Sequence, residues 1–219
     1  MNPYSHIVVA SKLETLVNPD NKPEYYWGAI VPDIRYIADL HRQQTHLSPQ
    51  QIISFIPQHP HLRSFLQGYL VHCLSDELEL EQIFFQHFPF FAFKDRMSRS
   101  KLAVILEFFY YENESINPDI SVSHNEFLES LGITRTLSEK FSKSITQYSE
   151  TSSSETRLLN SIKLMGLEND SRVEKYVAAA RSFQKNQLLK NSMFFGIRTG
   201  KISEQIVSTV ASHYQRYSQ

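Results

Sequence analysis

The chain has 219 residues, a net charge of −1, 41% hydrophobic residues and six glycines. This length and hydrophobic fraction allow one sizeable core, so we expect a single domain over residues 1–219. The near-neutral charge, without a large basic block, argues against strong binding to long nucleic acids. Scarce glycine and the lack of alternating strand patterns predict an all-α fold.

The start of the chain and its apolar runs predict neither export nor membrane insertion. Residues 1–7 lack the basic and apolar segments of a signal peptide, and no apolar run is long enough to span a membrane. The one cysteine, Cys73, has no partner for an internal disulfide and is expected to be a small buried hydrophobe. We therefore expect a soluble, cytoplasmic protein, and the sequence does not predict its oligomeric state.

Helical periodicity and capping residues predict the elements in chain order. Ser5 caps the first helix, which reaches residue 17, and Pro32 ends or kinks the second. Asp33 would then cap the turn that follows, the ordinary role of an aspartate there. Ser48 and Gln51 form a capping box that opens the next helix. Further helices are predicted at about 61–87, 100–111, 136–148, 155–165, 171–190 and 202–217, with a short one that begins at a Ser123 capping box and ends at Gly132.

The centre of the predicted 61–87 helix carries a histidine and an aspartate on its apolar face. His72 and Asp76 are four residues apart, so they lie one turn apart on the side that also carries Phe65 and Tyr69. A structural hydrogen bond is the ordinary interpretation of such a pair. A shared metal ion is the functional interpretation, and other ligands must decide between them.

Five histidines and aspartates of the first third of the chain sit beside apolar residues. Neutral imidazoles and carboxylates are ligands that zinc takes. A zinc ion with three protein ligands and a water is usually catalytic, since that water has a pKa of about 7 and can attack a phosphorus centre. Spacing alone joins only two of the five candidates. The candidate ligands are His6, Asp33, His46, His72 and Asp76.

The order of these residues carries a family resemblance. His6 is followed by Trp27-Gly-Ala-Ile-Val-Pro-Asp33, by Thr45-His46 and by Gly68-Tyr-Leu-Val-His72-Cys-Leu-Ser-Asp76. Over residues 5–80 this pattern resembles the zinc-dependent phospholipase C family, which is all-α and related to the zinc single-strand nucleases of fungi and plants. The resemblance implies a metal-site part at about 1–95 and a divergent helical part at about 96–219.

The resemblance also implies roles for the five residues. Asp33, His46, His72 and Asp76 match the ligands of one zinc ion, while His6 matches a ligand of a neighbouring ion that Asp76 bridges. Asp33 also matches a candidate catalytic base for the attacking water. The implied activity is hydrolysis of a phosphoester, either a small molecule or a lipid headgroup, with zinc or another divalent ion as cofactor.

Two parts of the family pattern are missing. Gln82 stands where the family has a further histidine, and the sequence contains no His-x-x-x-Glu. We therefore expect one metal ion or two, and not three. Two alternatives stay open: a non-catalytic interaction module with a structural metal or none, and a metal-dependent phosphatase or nuclease with a small substrate.

Other charged residues have an ordinary and a functional interpretation. Arg35, Arg42 and Arg63 are either solvated surface charges or partners of a substrate phosphate. His59 and His61 flank Pro60 and are expected to be surface turn residues. His124 and Glu126 are expected to belong to a helix start.

Overall fold

A computed structural model of the protein describes residues 3–87, 99–117, 119–150, 171–199 and 201–218. These residues are mostly helical and include no strand, which confirms the all-α prediction. None of their helices combines the length and apolar character needed to cross a membrane. The α-helices of the described residues are α1 (Pro3–Val17), α2 (Lys22–Ile30), α3 (Arg35–Ala38), α4 (Arg42–Thr45), α5 (Pro49–Phe55), α6 (Arg63–Asp76), α7 (Leu80–His87), α8 (Arg99–Asn113), α9 (Glu126–Ser130), α10 (Arg135–Glu150), α11 (Ser171–Lys185), α12 (Gln187–Thr199) and α13 (Ile202–Ser218). Two 3₁₀ turns lie at Val31–Ile34 and Pro60–Leu62.

Helices α2 and α6 form the central pair, and their backbones touch. Every residue of α6 except Arg63 is buried. A Cβ atom at Gly28 of α2 would overlap the carbonyl oxygen of Phe65, and one at Gly68 of α6 would overlap that of Tyr25. This close approach brings His72, a candidate metal ligand on α6, against the end of α2.

We expect Gly68→Ala to lower the free energy of unfolding by about 3 kcal/mol, because the added methyl group forces the two backbones apart. Its Cβ would also lie 2.9 Å from the backbone nitrogen of Ala29. Urea denaturation measures the loss. Gly132→Ala is the control: its Cβ meets no atom within 4 Å, and its φ of +79° costs only about 1–2 kcal/mol. Equal losses in the two variants would contradict the packing interpretation.

The predicted single helix over 61–87 is wrong. The chain turns between α6 and α7, where the Glu77 N–H is shared between the carbonyls of Cys73 and Leu74 at 3.1 and 3.3 Å. Both Leu78 and Leu80 are buried beyond this turn. Helix α6 is buried on all sides whereas α7 is not, so the turn redirects the chain to bury the apolar face of α7.

The predicted helix at 171–190 is likewise two helices. Helix α11 ends at Lys185, and α12 begins at Gln187. The side-chain oxygen of Asn186 accepts the Leu189 N–H at 3.0 Å and caps α12. An asparagine at this position favours a new helix start over continuation.

Three other predicted helix ends have mixed outcomes. The capping box of Ser48 and Gln51 is confirmed, since the hydroxyl accepts the Gln51 N–H at 3.3 Å. Gly132 follows α9 with positive φ, as predicted for a helix terminator. The Ser123 capping box is wrong, because Asn125 caps α9 instead.

One buried hydrophobic cluster includes residues from both ends of the chain, from Tyr4 to Tyr214. The predicted helix at 155–165 and the proposed boundary near residue 95 lie outside the described residues. The single-domain organisation stays a prediction.

Candidate metal centre

His6 lies on α1, and a buried carboxylate of a distant helix fixes the first turn of α1. Glu107 of α8 accepts hydrogen bonds from the backbone N–H groups of Tyr4 and Ser5 at 3.0 and 2.7 Å. The Ser5 hydroxyl donates to the same carboxylate at 2.6 Å, so the prediction that Ser5 itself caps α1 is wrong. The first turn of α1 is thus fixed by Glu107, and His6 follows directly with 1% of its surface exposed.

Asp33 lies in the 3₁₀ turn between α2 and α3. The prediction that Asp33 caps the turn after it is wrong. The 3₁₀ turn that contains Asp33 runs directly into α3, and no side chain caps α3. The Asp33 carboxylate is instead buried, and Oδ1 lies 3.9 Å from the Arg35 Nε. A buried carboxylate without a capping role needs another partner.

His46 follows α4 and is oriented by its neighbour Thr45. The Thr45 hydroxyl lies 3.1 Å from His46 Nδ1, and the Tyr69 hydroxyl donates to the Thr45 carbonyl. The end of α4 is therefore held against α6, and His46 Nε2 points toward α6. Only 6% of the His46 side chain is exposed.

His72 and Asp76 lie one turn apart on α6, and both are buried. The His72 Nδ1–H donates to the Ala29 carbonyl at the end of α2, at 2.8 Å. This bond leaves the lone pair of His72 Nε2 free to face the cluster, an arrangement that metal-ligating histidines share. His72 and Asp76 are therefore not simply a hydrogen-bonded pair.

Three potential ligand atoms meet at the distances expected around one ion. His72 Nε2 lies 3.2 Å from His46 Nε2, which lies 3.1 Å from Asp76 Oδ2. Neighbouring ligand atoms around a tetrahedral zinc ion, with bonds of about 2.0–2.2 Å, are separated by about 3.3 Å. The spacing of His46, His72 and Asp76 fits such an ion.

The protonation states of these groups also suit a cation. Burial lowers the pKa of His72 well below its usual value, so its imidazole is neutral at pH 7. Burial works to raise the pKa of Asp76, but nearby positive charge and the hydrogen bond with His46 outweigh it and hold this pKa well below its usual value. His46 Nε2 therefore faces two acceptors, and a single proton on that atom can serve only one of them. A metal ion would satisfy all three atoms.

His6 and Asp33 extend the cluster on the other side of His72. The rings of His6 and His72 are stacked, with centroids 3.7 Å apart and planes at 13°. His6 Nε2 lies 3.4 Å from Asp76 Oδ1, yet neither nitrogen of this buried imidazole makes a hydrogen bond. Burial lowers the pKa of His6, so its lone pair is available to a cation. The candidates thus form two groups that share His72, and within each group the potential ligand atoms lie within 4.8 Å of one another. One group is His6, Asp33 and His72, and the other is His46, His72 and Asp76.

Arginines surround the two aspartates. Arg42 donates to Asp76 Oδ2 at 2.8 Å with 41% of its side chain exposed, and Arg99 donates to the Asp76 backbone carbonyl. Arg35 lies against the ring of Tyr36, 4.0 Å from its centroid. Tyr36 itself is 39% exposed, and burial of its remaining surface raises its pKa to about 12. The cluster itself is buried, and the arginine that contacts Asp76 is partly exposed.

The structure thus brings together all five sequence-predicted residues, although their role as metal ligands stays a prediction. Sequence reasoning missed Glu107 and Arg99, which support the cluster from α8. The signal for Glu107 was present: it is a single charge within the apolar run Leu102 to Tyr110. A carboxylate in such a run is buried only when it has partners.

No protein-family model, curated protein or solved structure matches this chain. Function is therefore inferred from the side chains and their geometry.

Proposed function

We propose that this chain is a metal-dependent hydrolase of phosphoesters, with a metal centre like that of the zinc-dependent phospholipase C family its motifs resemble. His46, His72 and Asp76 would hold one zinc or similar divalent ion. The observation that carries the proposal is that His46 Nε2 lies 3.2 Å from His72 Nε2 and 3.1 Å from Asp76 Oδ2, although one proton on His46 Nε2 can serve only one of these two acceptors. Mixed imidazole and carboxylate donors at this spacing suit zinc.

His6 and Asp33 support a second, neighbouring ion. The carboxylate of Asp76 reaches His46 through Oδ2 and His6 through Oδ1, which suits a bridge between two ions. Neither His6 nitrogen makes a hydrogen bond, and Nε2 has only the 3.4 Å contact with Asp76 Oδ1; this favours a cation on this side, since an unsatisfied buried polar atom costs about 1–3 kcal/mol. When bound, such ions act as Lewis acids and lower the pKa of a coordinated water to about 7.

Asp33 would orient the attacking water and accept its proton on a carboxylate oxygen. This carboxylate is 5% exposed and has a ligand atom within 4.8 Å of those of His6 and His72, so it lies beside the histidine that the two ligand groups share. The Arg35 guanidinium, 3.9 Å away, restrains the carboxylate. A group in this position acts only on a water that reaches the cluster.

Arg42 would bind the phosphoryl oxygens of the substrate. In the structure its guanidinium is paired with Asp76 Oδ2, the oxygen that would also bind the ion. With Asp76 Oδ2 engaged as a metal ligand, the guanidinium would be held less strongly and could face solvent. Since 41% of the side chain is already exposed, it can turn to an arriving phosphate without unfolding α4.

We expect Arg42→Gln to lower kcat/KM for a phosphoester by about 10-fold or more, the worth of a hydrogen bond to a charged group. Its metal content should not fall, because the guanidinium is a partner of Asp76 and not a ligand of the ion. Steady-state kinetics and elemental analysis measure the two quantities. Arg63→Gln, an exposed arginine at the other end of α6, is the control and should match wild type. Loss of metal in Arg42→Gln would contradict a substrate role.

Hydrolysis of chromogenic esters tests the activity itself. Bis(4-nitrophenyl) phosphate and 4-nitrophenyl phosphate separate a diesterase from a monoesterase. The proposal expects release of nitrophenol from at least one of them, loss of release after chelation, and recovery with Zn²⁺. Asp33→Asn should abolish release, although it is nearly isosteric.

The competing candidate is an interaction module whose metal is structural. The ion pair of Arg42 with Asp76 favours it, since a closed pair needs no substrate. Tight metal binding without hydrolysis of either ester or of a phosphocholine lipid would support this candidate and overturn the hydrolase.

A further inference from the structure

A second group of metal-binding side chains lies apart from the buried cluster. His59 and His61, at the start of the 3₁₀ turn before α6, both point to Glu126 of α9, more than sixty residues away in sequence. His61 Nε2 lies 2.8 Å from Glu126 Oε1, and His59 Nδ1 lies 3.2 Å from the same oxygen. All three ligand atoms lie within 4.8 Å of one another. The two histidines are therefore more than independent turn residues.

The backbone holds this group in place. The His59 carbonyl accepts the Leu62 N–H at 2.9 Å, which closes the turn around Pro60. The side chains of 59 and 61 leave this turn from different positions. They reach one point by using different ring nitrogens, Nδ1 of His59 and Nε2 of His61.

Glu126 is fixed on the other side by its neighbour in sequence. Phe127 is buried, and its ring packs edge-to-face against Phe55 of α5 and Tyr69 of α6, with centroids 5.3 and 5.0 Å apart. The start of α9 is therefore held against the elements that flank the 3₁₀ turn. The backbone that carries all three ligands is thus held in place, which lowers the cost of binding.

We propose that His59, His61 and Glu126 form a second, surface metal site for Zn²⁺ or a similar divalent transition ion, completed by water. Two imidazoles and one carboxylate suit Zn²⁺ and similar transition ions, whereas Mg²⁺ and Ca²⁺ favour oxygen ligands alone. The exposed fractions of the side chains, 30% for His59, 63% for His61 and 47% for Glu126, leave room for water on the open side. The bound ion ties the connection between α5 and α6 to α9.

The test is Zn²⁺ titration of the full chain by calorimetry and by thermal unfolding. Wild type should bind one more equivalent than His61→Ala. At Zn²⁺ about 100-fold above Kd it should gain about 5–10 °C more in Tm than this variant. His61→Ala should fold normally, since the side chain is exposed. His213→Ala on α13 is the control and should behave as wild type.

Glu126→Gln separates a metal site from simple hydrogen bonding. The amide keeps an oxygen that accepts a hydrogen bond from either histidine but loses the negative charge, so the substitution should weaken Zn²⁺ binding at least about 10-fold. Equal Zn²⁺ stoichiometry and equal Zn²⁺-dependent Tm shifts in wild type, His61→Ala and Glu126→Gln would overturn the proposal. Because His61 and Glu126 lie outside the buried cluster, this result would leave the proposed hydrolase intact.

Discussion

His72→Ala is expected to lose metal from the buried cluster and to lower phosphoester hydrolysis by more than about 100-fold. Removal of a group that only supports a ligand typically costs 10–100-fold, and His72 would be a ligand itself. His72 belongs to both ligand groups, beside His6 and beside His46. Its Nε2 would bind one ion and its ring stacks on His6 of the other group, so one substitution affects the whole cluster. Elemental analysis and hydrolysis of the nitrophenyl esters measure the two losses.

Two further variants keep this prediction independent of misfolding. His72→Ala leaves a cavity in a fully buried position, so a second variant with little change in shape is needed. Asp76→Asn is isosteric, and it should lose metal and activity while its circular dichroism stays that of wild type. Cys73→Ala, a buried substitution next to His72 on the same helix, should retain both. Full metal occupancy in both His72→Ala and Asp76→Asn would contradict the site.

Glu107→Ala is expected to be the most destabilising of the substitutions, at about 4 kcal/mol in the free energy of unfolding. Two backbone N–H groups and one hydroxyl of the first turn of α1 lose their acceptor in a buried position. Hydrogen bonds to a charged group contribute about 1.5–3 kcal/mol each, and buried groups left without a partner add their desolvation cost. The turn that carries His6 is then no longer fixed, so metal affinity should fall about 10-fold as well.

Urea denaturation and competition with a chelating dye measure these two effects. Glu112→Ala on the same helix is the control: Glu112 pairs with Lys190 near the surface, and its loss should cost less than about 1 kcal/mol. Similar stability of the Glu107→Ala and Glu112→Ala variants would contradict the role given to the buried carboxylate.

Local patterns were enough to predict most of the helices. The capping box at Ser48 and the terminator Gly132 act within four residues, so sequence reports them directly. The turn between α6 and α7 is different, since it depends on which surfaces the two helices bury. Periodicity cannot distinguish one long helix from two that meet at an angle, because both keep apolar residues at helical spacing.

The buried cluster shows the same division between local and tertiary information. Helical spacing alone places His72 and Asp76 on one face. Apolar surroundings made His6, Asp33 and His46 candidates, and only the family resemblance implied that they join this pair. None of these sources reveals the partner of Glu107: the apolar run around it indicates a buried carboxylate, but not that it reaches the first turn of α1 from about a hundred residues away. The surface group at Glu126 was missed for the same reason: His59 and His61 are ordinary turn residues until α9 packs beside them.

The metal content of the purified chain tests the central claim most directly. After incubation with Zn²⁺ and removal of loosely bound ions, elemental analysis should find about one to two equivalents of tightly bound transition metal in wild type. His72→Ala should lose the metal of the buried cluster, and combining it with His61→Ala, which also removes the proposed surface site, should bring the content close to zero. Less than about half an equivalent in wild type, or the same content in wild type and His72→Ala, would contradict a metal centre built on His72.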